Sequence, residues 1–287
     1  MANLKEIRNR IKSVKSTRQI TSAMKMVSAA KLRKAQNRIE QLRPYAEKLQ
    51  QILSYVSQSM ADDKDFEFIK ERPVKKVLLV LIASNKGLCG SFNANVIKKA
   101  VAEIKNNYND VEIDVITIGK KTHDIFKKHP YNIVKSDNEI FDNLSFNNVT
   151  ELADQFMGWF TDGTYDKILF VYNTFINTVT QNTITEQFLP MQLETNEDDD
   201  TYDYILEPDK EAITKELIPK ALRTQMFKDL MDSVAAEHGA RMTAMQQATD
   251  NATELLDEIT LQYNKARQAS ITNELLEITS GADALKG

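Results

Sequence analysis

TRQITSAMKMVSAAKLRKAQNRI, residues 17–39, holds neither Gly nor Pro and mixes Lys and Arg with Met and Ala. A DNA-binding helix, a membrane-surface helix and a helix shaped for a protein partner share that composition. The fold turns on how this stretch continues the pattern around it. Upstream, Leu4, Ile7, Ile11 and Val14 recur at 3-4-3 spacing. Downstream, Leu32, Ala35, Ile39, Leu42, Ala46, Leu49, Leu53, Val56 and Met60 continue in the same register. That is a heptad seam, interrupted only by Pro44, where a kink is expected. Carried through the quoted stretch, the register falls on Arg18, Thr21, Lys25 and Ser28. The apolar residues Ile20, Ala23, Met24, Val27 and Ala30 lie on a rotated face. Either that face leaves the seam to touch another subunit, or the helix rotates locally within the same coil.

A second long helix closes the chain, since residues 209–280 contain Pro219 and Gly239 as their only punctuation. Phe227, Met231, Val234, His238, Arg241, Met245, Ala248, Ala252, Leu255, Ile259, Gln262, Ala266 and Ala269 form one line. His238 reads as a polar residue that sets register on it. Each helix is apolar along a single stripe and needs a partner. The nearest candidate is the other helix, antiparallel because the middle of the chain joins them, with the left-handed supercoil of a 3.5 period. A 60-residue helix is roughly 90 Å long, whereas about 140 middle residues make a domain some 30–40 Å across. A rod projecting from a globular part is the expected shape.

The middle reads as α/β. VKKVLLVLIA (74–83) is a near-continuous apolar run, as in a strand covered on both faces. A helix at 93–106, a strand at 111–119, a short helix at KKTHDIFKKH, a helix near 149–160 and a third strand at 165–173 follow. Residues 174–192 read as a further strand. The alternation predicts a mostly parallel, doubly wound, Rossmann-like sheet. The division expected is 1–60 for the first helix, 61–208 for the α/β domain and 209–287 for the last helix.

SNKGLCGSFNAN (84–95) sits where a nucleotide-binding fold places its phosphate loop, but its glycines are spaced G-x-x-G and no Lys-Ser/Thr follows. IGKKT (118–122) resembles the tail of a P-loop, with Asp114 where the first Gly belongs. The plainer reading is a tight turn with an N-cap at Ser91 or Asn93 and Cys89 buried as a small hydrophobe. His123, His129 and His238 are too scattered for a metal motif, and no G-x-S-x-G or similar nucleophile motif occurs. ETNEDDD (194–200) lacks the Gly and Glu spacing of a calcium loop and reads as solvated. No catalytic residue, metal or cofactor is expected.

Charge is unevenly placed. The net charge is −4, yet residues 1–43 hold twelve Lys or Arg against two Glu, a balance of +10, and residues 194–211 hold nine acids against one Lys. Different partners are expected at different ends. A basic-helix DNA binder is disfavoured, because the basic helix itself carries the seam and the sequence pI is near 5.6. The single cysteine allows no internal disulfide and fits a reducing compartment. There is no secretory leader pattern and no run of 18 apolar residues.

Several long blocks carry a family likeness. KEIRNRIKSVKSTRQITSAMKMVSAAKLRKAQ (5–36), SNKGLCGSFN, AAEHGARMTAMQQATDNATELL and YNKARQASITNELLEITSGADAL resemble, in order, the γ subunits of F-type ATP synthases. The resemblance implies an antiparallel coiled coil entering a hexamer of three α and three β subunits, with the α/β domain on the c-subunit ring beside the ε subunit. It implies a rotor without an active site of its own, coupling ion-driven rotation of the ring to ATP synthesis or hydrolysis on β. Membrane contact would come through the c ring alone, on the cytoplasmic face of a bacterial inner membrane, with no nucleic acid involved.

By motif, Met24 and Lys25 match the segment near an acidic lever of β. Arg267 and Gln268 match a pair contacting a β loop, and Arg241 a second contact region. Ile271, Leu275, Leu276 and Ile278 match the apolar tip, and Tyr204 and Glu207 the segment facing ring and ε. This sequence departs at Asn85, where the family has Asp, and at Gly239, where it often has Ala and where local flexibility is expected. The paired cysteines of the plastid form are absent. The alternative from another class is a nucleotide-binding α/β protein that dimerises through a coiled coil.

Overall fold

A computed structural model describes residues 4–58, 67–192, 207 and 210–284. Met60, Tyr204 and the acidic run 194–200 lie outside the described residues. Two helices bracket the chain, α1 (Leu4–Gln58) and α5 (Lys210–Ala284). Both continue through their proline, Pro44 and Pro219, at the cost of a backbone donor in each. Between them come β1 (Lys76–Ile82), α2 (Phe92–Asn107), β2 (Glu112–Ile118), α3 (Lys120–Phe126), β3 (Asn132–Asp137), α4 (Phe146–Thr161), β4 (Lys167–Phe175) and β5 (Gln181–Leu189). The fold is the expected one, a long antiparallel helix pair with a central mixed sheet.

The chain forms two compact units, residues 28–241 and residues 1–27 with 242–287. In the larger unit the sheet order is β3-β2-β1-β4-β5. Four strands run parallel, and β5 returns antiparallel on β4 through the hairpin at 176–180. The apolar run of β1 is buried on both faces, and its alternate residues enter two cores. Val77, Leu79 and Leu81 meet Val96, Ile97, Ala100 and Ile104 of α2. Leu78, Val80 and Ile82 share the opposite core with Phe156 and Phe160 of α4, Leu49 and Leu53 of α1, and Leu222, Met226 and Leu230 of α5. Period two on a strand thus decides which helix layer each side chain meets.

The sequence reading missed β3. NIVKSD offers few apolar residues because it is an edge strand, half-exposed along its length and marked by polar groups. The expected side-chain cap on α2 is also absent. Ser91 is the N-cap residue with no side-chain cap bond, and Asn93 turns its amide oxygen back to the backbone NH of Ser84 at 3.0 Å.

Along α1 an unbroken 3-4 column of less exposed residues runs through 4, 7, 11, 14, 18, 21, 25, 28, 32, 35, 39, 42, 46, 49 and 53, flanked by partly covered residues at 22, 24, 29, 36, 52 and 55. The seam therefore keeps its register straight through the basic stretch. In the larger unit it pairs antiparallel with α5, Leu32 and Ala35 packing on Met231 and Ala235. In the smaller unit the Thr21 hydroxyl lies 2.8 Å from that of Thr249, and Arg8 donates to the Tyr263 hydroxyl at 2.9 Å with its guanidinium over the ring. Those two pairs also run antiparallel.

On α5 the expected line needs correcting beyond Met245. Met245, Ala252, Ile259 and Ala266 do face inward. Ala248 is half-buried like Thr249, but further on the second column is Leu256, Tyr263 and Ser270, not Leu255, Gln262 and Ala269. A seven-residue repeat is satisfied by either +3 or +4. With Leu at both 255 and 256, composition does not distinguish them, but the pairs with Thr21 and Arg8 do.

Two glycines divide cleanly in meaning. Gly119 has φ 102°, and a Cβ there would stand 2.1 Å from the Ala83 carbonyl oxygen. Gly239 lies inside α5, buried rather than loose, and a Cβ there would stand 3.1 Å from the Phe175 ring. The expectation of flexibility at Gly239 gives way to close packing. Gly119→Ala is expected to destabilise by more than about 3 kcal/mol, combining left-handed strain with a backbone clash. Gly239→Ala is expected to gain up to about 1 kcal/mol of helix propensity, because the half-buried Phe175 ring can shift by a few tenths of an ångström. Urea unfolding of the two variants at one pH checks both signs.

Candidate functional site

The turn after β1 is filled by its own side chains. Ser84 Oγ lies 2.7 Å from the Lys86 carbonyl and 2.9 Å from Asn93 Oδ1, while Asn93 Nδ2 donates to Cys89 Sγ at 3.2 Å. Cys89 is buried, and burial pushes its thiol above the usual range. Leu88 (φ 63°) and Gly90 (φ 61°) shape the turn. Asn85 accepts from the backbone NH of Lys120 at 3.0 Å and donates to the Asn138 carbonyl at 2.6 Å. An ionised Asp could make the first bond but not the second, which accounts for Asn here. The amides of Ser84 and Lys120 that a phosphate loop would present are taken by Asn93 and Asn85. The turn is a packed corner, not a phosphate cradle.

Arg241 anchors that corner. Its guanidinium donates to the carbonyls of Lys86, at 3.1 Å, and Gly87, and pairs with Glu237 at 2.5 Å. Arg241 is only 8% exposed. Its side chain is occupied inside the chain, where the sequence reading had placed a partner contact. Glu237, one turn earlier on α5, was missed; the i,i+4 spacing from Glu to Arg was its signal. Burial pushes Glu237 above the usual carboxylate range, opposed by its bond and charge contact with Arg241. His238 next to it has a buried Nδ1 with no hydrogen-bond partner, and burial with Lys31 and Arg241 nearby lowers it to about 4. His238 is therefore neutral at pH 7.

The smaller unit presents a different kind of surface. Ile20, Met26 and Val27 are exposed by 57%, 64% and 57%, while Thr21 on the seam is 8% exposed. Ala23 is exposed too, and Met24 and Lys25 are half-buried. Because the seam does not rotate, this apolar face points away from the coil and the local-rotation reading fails. Arg267 and Gln268 are exposed on α5. Residues 271–282 are exposed on all sides, among them Ile271 at 48%, Leu275 and Leu276 at 58% and Ile278 at 68%. Four large apolar side chains held open at one helix end mark a surface that another molecule covers. Glu207 is an exposed bend.

Charge is complementary inside this unit. Residues 4–27 carry seven Lys or Arg against Glu6, and residues 242–284 carry seven acids against Lys265 and Arg267. The two helices of this unit thus carry net charges of opposite sign. Among the described residues no helix is long and apolar enough to cross a membrane, and no group of His, Cys, Asp and Glu is placed to hold a metal ion.

A helix pair with an open apolar end and an α/β body whose phosphate-loop position is closed defines a protein that works through surfaces. The ATP synthase family model matches residues 3–285, and the chain belongs to that family. It is 57% identical over 287 residues, all of both chains, to the ATP synthase gamma chain of Christiangramia forsetii. It is 44% identical over the full length of both chains to that of a Geobacter species. Among solved structures it resembles a chain of the Tetrahymena thermophila mitochondrial ATP synthase central stalk and c ring. That match has TM-score 0.59 and 26% identity, and covers 80% of this chain and 99% of that one. The same fold occurs in the Euglena gracilis mitochondrial enzyme, TM-score 0.68 at 21% identity, covering 98% and 94%.

Arg241→Ala is expected to cost about 3–5 kcal/mol, since it leaves a buried carboxylate unpaired and two carbonyls without their donor. Glu237→Gln in the same chain should restore part of the loss. His238 gives a separate signature. Its folded value lies below the ordinary one, so the unfolded chain binds the extra proton and stability falls as pH drops from 6.5 towards 4. His238→Gln should remove that component from the pH profile of urea midpoints.

Proposed function

We propose that this chain is the rotating central-stalk subunit of a proton-translocating F-type ATP synthase. It couples rotation of the c ring to ATP synthesis, or hydrolysis, on the β subunits. The observation that carries this reading is the open apolar end of α5. Twelve exposed residues with Ile271, Leu275, Leu276 and Ile278 among them form an apolar surface of the kind that marks a site of protein contact. A sleeve of three α and three β subunits supplies that contact, with the tip turning inside as a smooth apolar bearing.

Met24 and Lys25, beside the outward face of Ile20 and Val27, lie against an acidic β segment in this reading. Arg267 and Gln268 meet a β loop. Long-range attraction between Lys or Arg and acidic loops survives sliding, where interlocked pockets would stall it. Arg241 contributes by holding α5 to the 84–90 corner. Tyr204 and Glu207 face the c ring and the ε subunit. Functionally the chain divides at 1–60, 61–208 and 209–287, shaft, body and shaft. It carries no active site itself and sits peripherally on the cytoplasmic face of the bacterial inner membrane, touching the bilayer only through the c ring.

Reconstitution with the α and β subunits, followed by single-molecule observation, tests this. Hydrolysis-driven rotation of a probe on this chain is expected; hydrolysis without rotation would sink the reading. Ile20→Asp with Val27→Asp should leave the stability of the isolated chain within about 0.5 kcal/mol, as exposed substitutions do. It should lower ATP-driven proton pumping of the complex at least severalfold. Unchanged pumping would remove this face from the contact.

A further inference from the structure

The face of α5 that meets β4 and β5 holds a cluster short of one hydrogen. The Tyr172 hydroxyl lies 3.0 Å from Asp229 Oδ1 and also hydrogen-bonds Glu186 Oε2. A phenol has one hydrogen to donate. The second contact is a hydrogen bond only if one of the two carboxyl groups carries a proton. With both ionised, two negative charges would crowd one hydrogen at a site where Asp229 is 0% exposed.

The surroundings decide which acid holds the proton. Glu186 accepts from Gln225 Nε2 at 2.8 Å and borders an open groove of about 660 Å³ that Arg43, Glu47, Lys228 and Asp232 also line. It has the donors and the water that an ionised carboxylate needs. Asp229 has neither, and its Oδ2 is buried without a partner. Burial first, then the charge of Glu186, pushes Asp229 well above the usual carboxylate range, with Asp232 adding to the shift and Lys228 opposing it. Asp232 is itself raised by burial, against Lys228 and Arg43 of α1. Burial and the two acids hold Tyr172 neutral in alkali as well.

We propose that neutral Asp229, Tyr172 and ionised Glu186 form a proton-sharing latch that fastens α5 to the antiparallel strand pair β4–β5 and loosens when alkali removes the proton. Asp229 donates to Tyr172, Tyr172 donates to Glu186, and Gln225 donates to the other oxygen of Glu186. The latch binds one proton that the unfolded chain releases just above the ordinary Asp range. Its contribution is complete below about pH 4, declines as pH rises, and is lost as pH passes the folded value of Asp229.

Difference infrared spectroscopy on the full chain labelled with 13C-carboxyl aspartate reads the proton directly. At pH 7 a carbonyl band of a neutral carboxylic acid is expected, present in Asp232→Asn and absent in Asp229→Asn. No such band, or its survival in Asp229→Asn, overturns the proposal. Deuterium exchange reads the latch. Once normalised for intrinsic rate, protection of α5 amides around 225–232 should fall by about tenfold per pH unit up to the pH at which folded Asp229 loses its proton, and level off above it. In Asp229→Asn, whose amide donates to Tyr172 as the acid does, it should stay within about threefold from pH 7 to 10. An equal alkaline loss in Asp229→Asn overturns the proposal. If that variant does not fold, Tyr172→Phe serves instead. The acid band should move to higher frequency as its acceptor disappears, and an unmoved band again overturns the latch.

Discussion

Each long helix is apolar along one stripe only, and covering that stripe is the constraint on which the rest of the structure depends. In the smaller unit the stripes are thin. The covered residues are Ile7, Ile11, Val14 and Thr21 on α1 and a column of Met245, Ala252, Ile259 and Ala266 on α5. Burying so little apolar surface stabilises modestly, so polar contacts have to fix the register. The paired hydroxyls of Thr21 and Thr249 and the bond from Arg8 to Tyr263 do so, and opposite net charges on the two helices favour their association. In the larger unit the same helices are sheathed differently. Residues 221–241 of α5 are buried on several faces by β4, β5 and α1, and polar groups there must be satisfied internally.

That difference in burial sorts the polar residues by what they can do. Inside the larger unit each buried charge is tied to the fold. Arg241 is held by Glu237 and two carbonyls, and Asp114 by Lys76, Asn132 and Tyr165 at 3.1, 2.7 and 2.9 Å. Each stiffens the joint between a helix and the sheet, or between strands. On the smaller unit charged side chains such as Arg10, Lys15 and Arg267 stand exposed, where a partner can reach them.

Much of this was legible in the sequence. The 3-4 spacing of α1 gave its seam residue by residue, and the uninterrupted apolar run of β1 marked a strand covered on both faces. What escaped did so for identifiable reasons. Strand β3 was invisible because an edge strand carries the polar residues that also mark loops. The second column of α5 was ambiguous because Leu255 and Leu256 satisfy a heptad equally well. Gly239 looked like a weak point because a sequence does not show Phe175 packed against its Cα. Arg241 was matched to a partner-contact region because the carbonyls of 86 and 87 are brought to it only by the fold.

The outward apolar face of α1 follows from the same constraint. A helix that paired only with its own chain would gain by turning Ile20 and Val27 into the seam and leaving Arg18, Thr21, Lys25 and Ser28 outside. The structure does the reverse, burying Thr21 and Ser28 and exposing both aliphatic residues. Rotation by one position would recover that burial locally but would displace Ile7, Ile11 and Val14 on one side and Leu32 and Ala35 on the other, since a heptad seam keeps one phase along its length. The local sacrifice is thus enforced by the long-range register. It leaves a short exposed apolar strip beside Met24 and Lys25.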